Sequence, residues 1–225
     1  MDTYEVMRTT FAARDFTDQD VSDETLFRIL DNARFAPSGG NRQGWKVLVV
    51  KDRKIRGELK DLLGPTIRQY RASQSVGETP FCSIGESQLT QAMIDATPTS
   101  FPLVDSLEDV PVLLVICVDL KEVCAFDKDL DRVGVISGGS VYPFAWNILL
   151  AARNENLGGV LTTYLAHQEE AVRDLLYVPR DHAVAAMVAI GEPVKQLTRL
   201  KRNPVADFTV VDRFSGVPFE GQQPD

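Results

Sequence analysis

Helices packed on a sheet, in an α+β or α/β arrangement, is the fold class this chain predicts, and three runs of residues carry the prediction. Val110 to Asp119 is apolar on both alternating faces, as in a central strand covered by helices on both sides. Val184 to Pro193 repeats that character, and Lys46 to Lys51 reads as a third strand of β-branched type. Helical patterns lie between these runs, which calls for layers of helix against sheet.

Taken in order, a short helix is expected from Thr3 to about Phe11. Ser22 then caps a second one, with acids in its first turn and Leu26, Ile29, Leu30 and Ala33 at helical spacing up to Pro37. After the Lys46–Lys51 strand, Ile55 to Leu63 reads as a helix ended by Gly64-Pro65. From Gly64 to Asp109 periodicity weakens, apart from a helical stretch at Gln88 to Ala96. A segment this long and irregular suits a lid, a binding loop or a mobile insert. Its aromatics, Tyr70, Phe81 and Phe101, either line a pocket or pack against one another.

Ser140 to Asn154 forms a helix that is apolar on nearly every face, with Pro143 accepted in its first turn. Such a helix is buried all round, in the core or against a second subunit. Asn156-Leu157-Gly158-Gly159 stops it, and a late helix follows over Gln168 to Leu176. Beyond Pro193 the residues Lys195, Arg199, Lys201 and Arg202 cluster before Asn203-Pro204. Phe208 to Val211 then reads as a short extended piece whose apolar side chains need a burial place, naturally a partner subunit.

The 225 residues suffice for one domain with a sizeable core, and 44% hydrophobic with 25% charged residues is ordinary for a globular protein. A net charge of −8 argues against general binding to nucleic acid or to an anionic membrane, since phosphate contacts need a positive surface. Cys82, Cys117 and Cys124 are odd in number and irregularly spaced, which suggests neither a disulfide framework nor a zinc motif and fits a reducing compartment. The first residues lack the pattern of a secretion signal, and no apolar run approaches the roughly 18 residues needed to span a bilayer. A cytoplasmic location is the expectation.

The segment Phe35-Ala36-Pro37-Ser38-Gly39-Gly40-Asn41-Arg42-Gln43-Gly44-Trp45 is the most informative of the chain. Where a helix ends and a strand begins, glycines permit close approach and positive φ, Pro37 fixes the entry, and Asn41 offers a donor and an acceptor. Such a corner can hold a flat polar ligand, although a plain helix stop accounts for the proline and glycines equally well. His167 and His182 are the only histidines and stand in no supported nucleophile–base pair, and no metal-ligand spacing appears. Neither G-x-G-x-x-G after a strand nor G-x-x-x-x-G-K-[ST] is present, so a Rossmann or P-loop nucleotide site is not expected.

Four separated segments, in the same order along the chain, resemble the nitroreductase superfamily of flavin enzymes. Pro37-Ser38-Gly39-Gly40-Asn41 through Trp45 is similar to that family's A-P-S-x-x-N-x-Q-P-W, with Gly44 in place of the proline. Arg8 to Phe16 resembles its R-R-S-x-R-x-F: Arg14 and Phe16 are in register, Thr10, Phe11 and Ala12 replace Arg, Arg and Ser, and Arg8 is the nearest further cation. Gly158 to Tyr164 resembles G-L-G-x-x-x-T-T, and Lys201-Arg202-Asn203-Pro204 resembles a basic pair ahead of a proline.

The resemblance implies an α+β, three-layer α/β/α sandwich with a central mixed sheet, a lid-like region over 64–109, and a C-terminal arm, residues 195–225, exchanged in a homodimer. It implies bound FMN, with NADPH or NADH as a transient visitor and a small aromatic molecule as substrate. Arg8, Thr10, Arg14 and Arg202 would serve the phosphate or ribityl end, while Pro37, Ser38, Gly39 and Asn41 would face a flavin held mainly by the other chain. Leu161, Thr162 and Thr163 would border the ring, with backbone near Thr163 at its reactive N5 and no indispensable side-chain acid or nucleophile. The activity implied is hydride transfer from NAD(P)H to a nitroaromatic, quinone or similar electron-poor acceptor. Reductive dehalogenation, flavin breakdown and non-catalytic flavin storage are alternatives on the same scaffold.

Overall fold

Four strands form one sheet in the order β1-β2-β4-β3, where β1 is Trp45–Val49, β2 Val112–Asp119, β3 Gly158–Thr162 and β4 His182–Gly191. This is a computed structural model, and it describes residues 1–221. The helices are α1 (Thr3–Thr9), α2 (Asp23–Ala33), α3 (Arg53–Ser75), α4 (Gln91–Asp95), α5 (Pro102–Asp105), α6 (Tyr142–Asn154) and α7 (Glu169–Leu176). Among the described residues no helix is long and apolar enough to cross a membrane.

The two runs read as central strands are central. β2 and β4 occupy the middle of the sheet, and both are buried along almost their whole length. Val112, Leu114, Ile116 and Val118 of β2 face α2 and α6, whereas Leu113, Val115 and Cys117 face α3, α5 and α7, so one strand serves two cores. This gives the expected three layers.

The expected mixed sheet is corrected: all four strands pair antiparallel, and the parallel pairing seen is the single bridge of Ala12 to Gly159. The connections account for this, since each strand is entered from the end opposite its neighbour. A bulge between Ile116 and Cys117 of β2 leaves Ala185 of β4 without an opposite residue. It also switches the side-chain alternation of β4. Val184 faces α3 and α7, Ala185 and Ala186 both face α2 and α6, and Met187 resumes the opposite sense.

Two further elements differ from expectation. α3 does not end at Gly64-Pro65 but continues to Ser75, so the irregular stretch begins only at Val76. Leu59, Leu63 and Ile67, four residues apart, are fully buried on one face of α3, while Pro65 lies on its exposed side. Burying Leu63 and Ile67, roughly 2 kcal/mol each, offsets the about 3 kcal/mol that an interior proline costs a helix. Gly158-Gly159, expected only as a stop, opens the fourth strand, because α6 crosses it closely: a Cβ on Gly159 would lie 2.7 Å from the Ala189 carbonyl oxygen and 2.8 Å from Leu149 Cδ2.

The smaller expectations differ by a few residues. α1 ends at Thr9, α4 covers only Gln91–Asp95 of the stretch from Gln88 to Ala96, and Pro143 lies in the first turn of α6. Ser22 caps α2, its hydroxyl accepting the Thr25 N–H at 3.2 Å. In the tail, Val210 bridges to Pro218, and Phe208, Phe214 and Phe219 are exposed; residues 222–225 of the expected arm lie outside the described residues.

Candidate functional site

The site residues fall into two groups on opposite edges of the sheet. On the β1 edge, Ser38 leads into a single 3₁₀ turn, Gly39–Asn41. Positive φ at Gly40 (62°), Asn41 (54°) and Gln43 (54°) folds this corner back on itself. Its amides are mostly committed. Ser38 Oγ accepts the Gln43 N–H at 3.0 Å, the Ser38 carbonyl accepts the Asn41 N–H at 2.9 Å, and Ser140 Oγ accepts the Gly39 N–H at 3.1 Å. Gln43 Nε2 donates to both Asn41 oxygens at 3.2 Å, which leaves the Asn41 side-chain NH₂ as an outward donor. Arg42 Nη1 lies 3.2 Å from Cys124 Sγ, and Pro37 and Asn41 are exposed.

On the β3 edge the chain from Ala12 to Thr17 is stitched down by backbone. Ala13 N–H donates to the Gly159 carbonyl (3.0 Å), Val194 N–H to the Asp15 carbonyl (3.1 Å) and Thr17 N–H to the Glu192 carbonyl (2.9 Å). Arg14 is thereby fixed at its root while its guanidinium remains exposed, with one bond to the Ala12 carbonyl at 3.3 Å. Thr10 is buried and donates its hydroxyl to the Val6 carbonyl at 2.7 Å, closing α1. Gln196 Nε2 donates to the Thr9 carbonyl at 3.0 Å, and Thr198 shares a groove with Arg8 and Thr9. The basic tail stretch thus returns toward the N-terminal arginines, with Arg202 exposed four residues beyond Thr198.

Thr162 ends β3. By alternation it lies with Val160 on the α3 and α7 side, and its buried Oγ1 has no hydrogen-bond partner among the described residues. Leu161 is half-buried toward α6 and Thr163 is exposed, its carbonyl accepting the Ala166 N–H at 3.1 Å. The next residue, Tyr164, meets Tyr70 of α3 and Phe101 edge-on, with ring centres 5.3 and 6.0 Å apart. Burial, and then the neighbouring Tyr70, push the Tyr164 phenol up to about 12, with Arg14 close enough to oppose them. Two of the three aromatics of the 64–109 region therefore pack at the end of β3, while Phe81 packs at a tilt against His167, ring centres 4.9 Å apart.

Three strand spacings of about 4.8 Å put β1 roughly 14 Å from β3 across the sheet, so the Ser38–Asn41 corner and the Arg14–Thr162 group belong to opposite edges. One chain does not bring them together. No local pattern marks Ser140 or Cys124, because their partners, Gly39 and Arg42, are distant in the chain.

Does this donor set suit a flavin mononucleotide? Arg8, Arg14 and Arg202 have no carboxylate partner among the described residues, as a dianionic phosphate requires. The orphaned Thr162 hydroxyl lies at the strand end where a polar ring edge would border it. The residues fit the group.

A model of the Nitroreductase family matches residues 7–192. The chain is 26% identical over 215 residues to nitrobenzene nitroreductase of Ectopseudomonas oleovorans, covering 83% of this chain and 85% of that one. Its fold is similar to the NADPH:FMN oxidoreductase of Vibrio harveyi solved with NAD+, with TM-score 0.67 and 22% identity over 96% of this chain and 79% of that one. It is also similar to iodotyrosine deiodinase solved with FMN and 3-iodo-L-tyrosine, with TM-score 0.65 and 21% identity over 91% and 96%. With more than four-fifths of its length inside the family match, in a three-layer fold shared with solved members, this chain belongs to the Nitroreductase family.

Proposed function

We propose that the protein is an FMN-dependent oxidoreductase that takes hydride from NADPH or NADH and delivers it to a nitroaromatic, quinone or similar electron-poor acceptor. FMN, when bound, supplies the hydride-carrying centre. The observation that carries the reading is the pairing of the backbone-fixed Arg14 with the orphaned Thr162 hydroxyl on one sheet edge, inside the family match. Arg14, Arg202 and Arg8 hold the phosphate and ribityl end. Thr162, Thr163 and Leu161 would border the ring, with backbone near Thr163 at its reactive edge, so that no side-chain nucleophile is needed.

The Ser38–Asn41 corner, which leads into the β1 edge opposite the β3 edge that carries Arg14, serves the flavin of a second chain, which makes the working unit a homodimer. Exposed Trp146 and Tyr142 on α6, Phe27 and Phe35 around α2, and Phe214 in the tail supply apolar surface for that pairing. Free Cys82, Cys117 and Cys124 support a reducing, cytoplasmic setting, and the net charge of −8 supports small-molecule over nucleic-acid partners.

Reductive dehalogenation is a second reading, favoured by the fold shared with iodotyrosine deiodinase. The test is a visible spectrum of the freshly purified protein, identification of the chromophore released by heat, and anaerobic addition of NADPH and NADH. A yellow protein bleached by either nicotinamide supports the proposal. A colourless monomer that takes up no flavin overturns it, and a yellow protein that neither nicotinamide bleaches turns the reading toward storage.

A further inference from the structure

Three elements meet at Thr9, the last residue of α1. Thr9 is 8% exposed, and its hydroxyl donates to the Glu5 carbonyl at 2.7 Å while accepting Nε–H of Arg153, from the last turn of α6, at 2.9 Å. The Thr9 carbonyl accepts Gln196 Nε2 of the tail at 3.0 Å, and Oε1 of the same amide is buried with no partner among the described residues. Arg153 is half-buried and bonds through Nε alone, so both of its Nη groups are without a partner among the described residues. No carboxylate among them pairs with it either.

The residues that follow this node offer an anion few side-chain donors. Thr10 spends its hydroxyl on the Val6 carbonyl, Phe11 and Ala12 have no polar side chain, and Arg8 shares its groove with the carboxylates of Asp2 and Glu5. The Arg14 guanidinium is held at the Ala12 carbonyl, 3.3 Å away. Thr9 and Ala12 are three residues apart, so about 10 Å at most separates their Cα atoms. Two charge-assisted bonds of about 2.8 Å, one on either side of a phosphate, bridge most of such a gap. The tail closes the node on its remaining side, with Gln196 fixed to Thr9 and Thr198 in the groove of Arg8 and Thr9.

We propose that Arg153 is a phosphate-binding residue, its Nη groups donating to the phosphate of the flavin nucleotide opposite Arg14, and that this contact makes the chain select FMN over riboflavin. The inference rests on the flavin-binding part of the reading above and adds to it a cation from the helix layer, outside the four segments that carry the resemblance. Pinning by a buried hydroxyl reduces the side-chain freedom that Arg153 loses on binding. A helix C-terminus also favours a cation for stability alone. That role would not distinguish one flavin from another.

The probes are FMN and riboflavin, which share the ring and the ribityl chain and differ in the phosphate. Each is titrated by fluorescence quenching into the flavin-free, full-length protein, with the melting temperature of every variant measured alongside. The wild type is expected to hold FMN at least tenfold tighter than riboflavin. Arg153→Gln is expected to raise the FMN dissociation constant about tenfold, the scale of one charge-assisted bond, and to leave that of riboflavin within twofold. Arg153→Lys, which keeps the charge, is expected to return FMN to within threefold of the wild type. Should Arg153→Gln not fold, Thr9→Val unpins the guanidinium without removing its charge and is expected to weaken FMN at least threefold, with riboflavin again unchanged. FMN affinity within twofold of the wild type, or an equal loss for both flavins, overturns the proposal. A wild-type protein that binds neither flavin removes the flavin reading as well, whereas wild-type FMN binding with no phosphate-selective effect at Arg153 removes this contact alone.

Discussion

Replacing Gly159 by alanine adds one methyl group at the close crossing of α6 and β3. Its Cβ would lie 2.7 Å from the Ala189 carbonyl oxygen, where ordinary contact begins at 3.4 Å, and 2.8 Å from Leu149 Cδ2. The leucine tip can rotate away. The carbonyl cannot, because β3 and β4 are paired at this point, Gly159 opposite Ile190 and Val160 opposite Ala189. Relief of about 0.7 Å must come from moving β3 or α6 as a body, so the cost belongs at the upper end of the 1–3 kcal/mol typical of overpacking, about 3 kcal/mol. For a chain of this length each kcal/mol shifts the midpoint by about 2–4 °C, so a fall of roughly 6–12 °C is expected in thermal unfolding followed by circular dichroism. Ala13 is bonded to the Gly159 carbonyl, so the FMN retention proposed for Arg14 should fall as well. An alanine variant melting within about 1 °C of the wild type would refute the argument that glycine is there for helix–strand clearance.

Arg56 donates to the carbonyls of Val50 (2.8 Å) and Val110 (2.6 Å), and Arg56→Leu strands both; at about 1.5–3 kcal/mol per bond to a charged group, a loss of about 3 kcal/mol is expected in urea titration. Arg14→Ala removes a guanidinium proposed to bind phosphate at a solvent-exposed position, so the FMN dissociation constant should rise about tenfold, near the low end for a charge-assisted bond; flavin occupancy unchanged after dialysis would contradict that role. The Val135 N–H and then Arg132 hold the Asp127 carboxyl below its usual range. A depressed folded pKa stabilises above the unfolded value and loses that contribution as pH falls through the folded one. Hydrogen-exchange protection of the Val135 amide should therefore hold at neutral pH and down through pH 5, and disappear only below about pH 4, near the ordinary aspartate value. Protection lost already near pH 6 would exclude Asp127 as its cause.

The central strands were legible because β2 and β4 carry apolar residues on both faces, and α2 because Ser22 caps a clean periodic stripe. β3 was not, since Gly158-Gly159 reads locally as a stop and only the close passage of α6 explains glycine inside a strand. The passage of α3 through Gly64-Pro65 was hidden for the same kind of reason: a local breaker is overruled by the burial of Leu63 and Ile67. For the site, motif order picked out Arg14, the Ser38–Asn41 corner and Thr162-Thr163. It could not reveal that the sheet separates them to opposite edges, which depends on strand order. Nor could it single out Arg153, whose partner Thr9 is distant in the chain and of unremarkable type.

Ala185 has no opposite number in β2, and this one supernumerary residue doubles up with Ala186 on the same side of the sheet. Excising it would leave Val184 opposite Cys117 and Ala186 opposite Ile116 in unbroken alternation, so both cores would keep their residues and the loss would be the Ala185 carbonyl that accepts the Tyr142 hydroxyl. Anyone shortening this strand to regularise the ladder can therefore drop the extra alanine without redesigning either core, at the cost of that one tether.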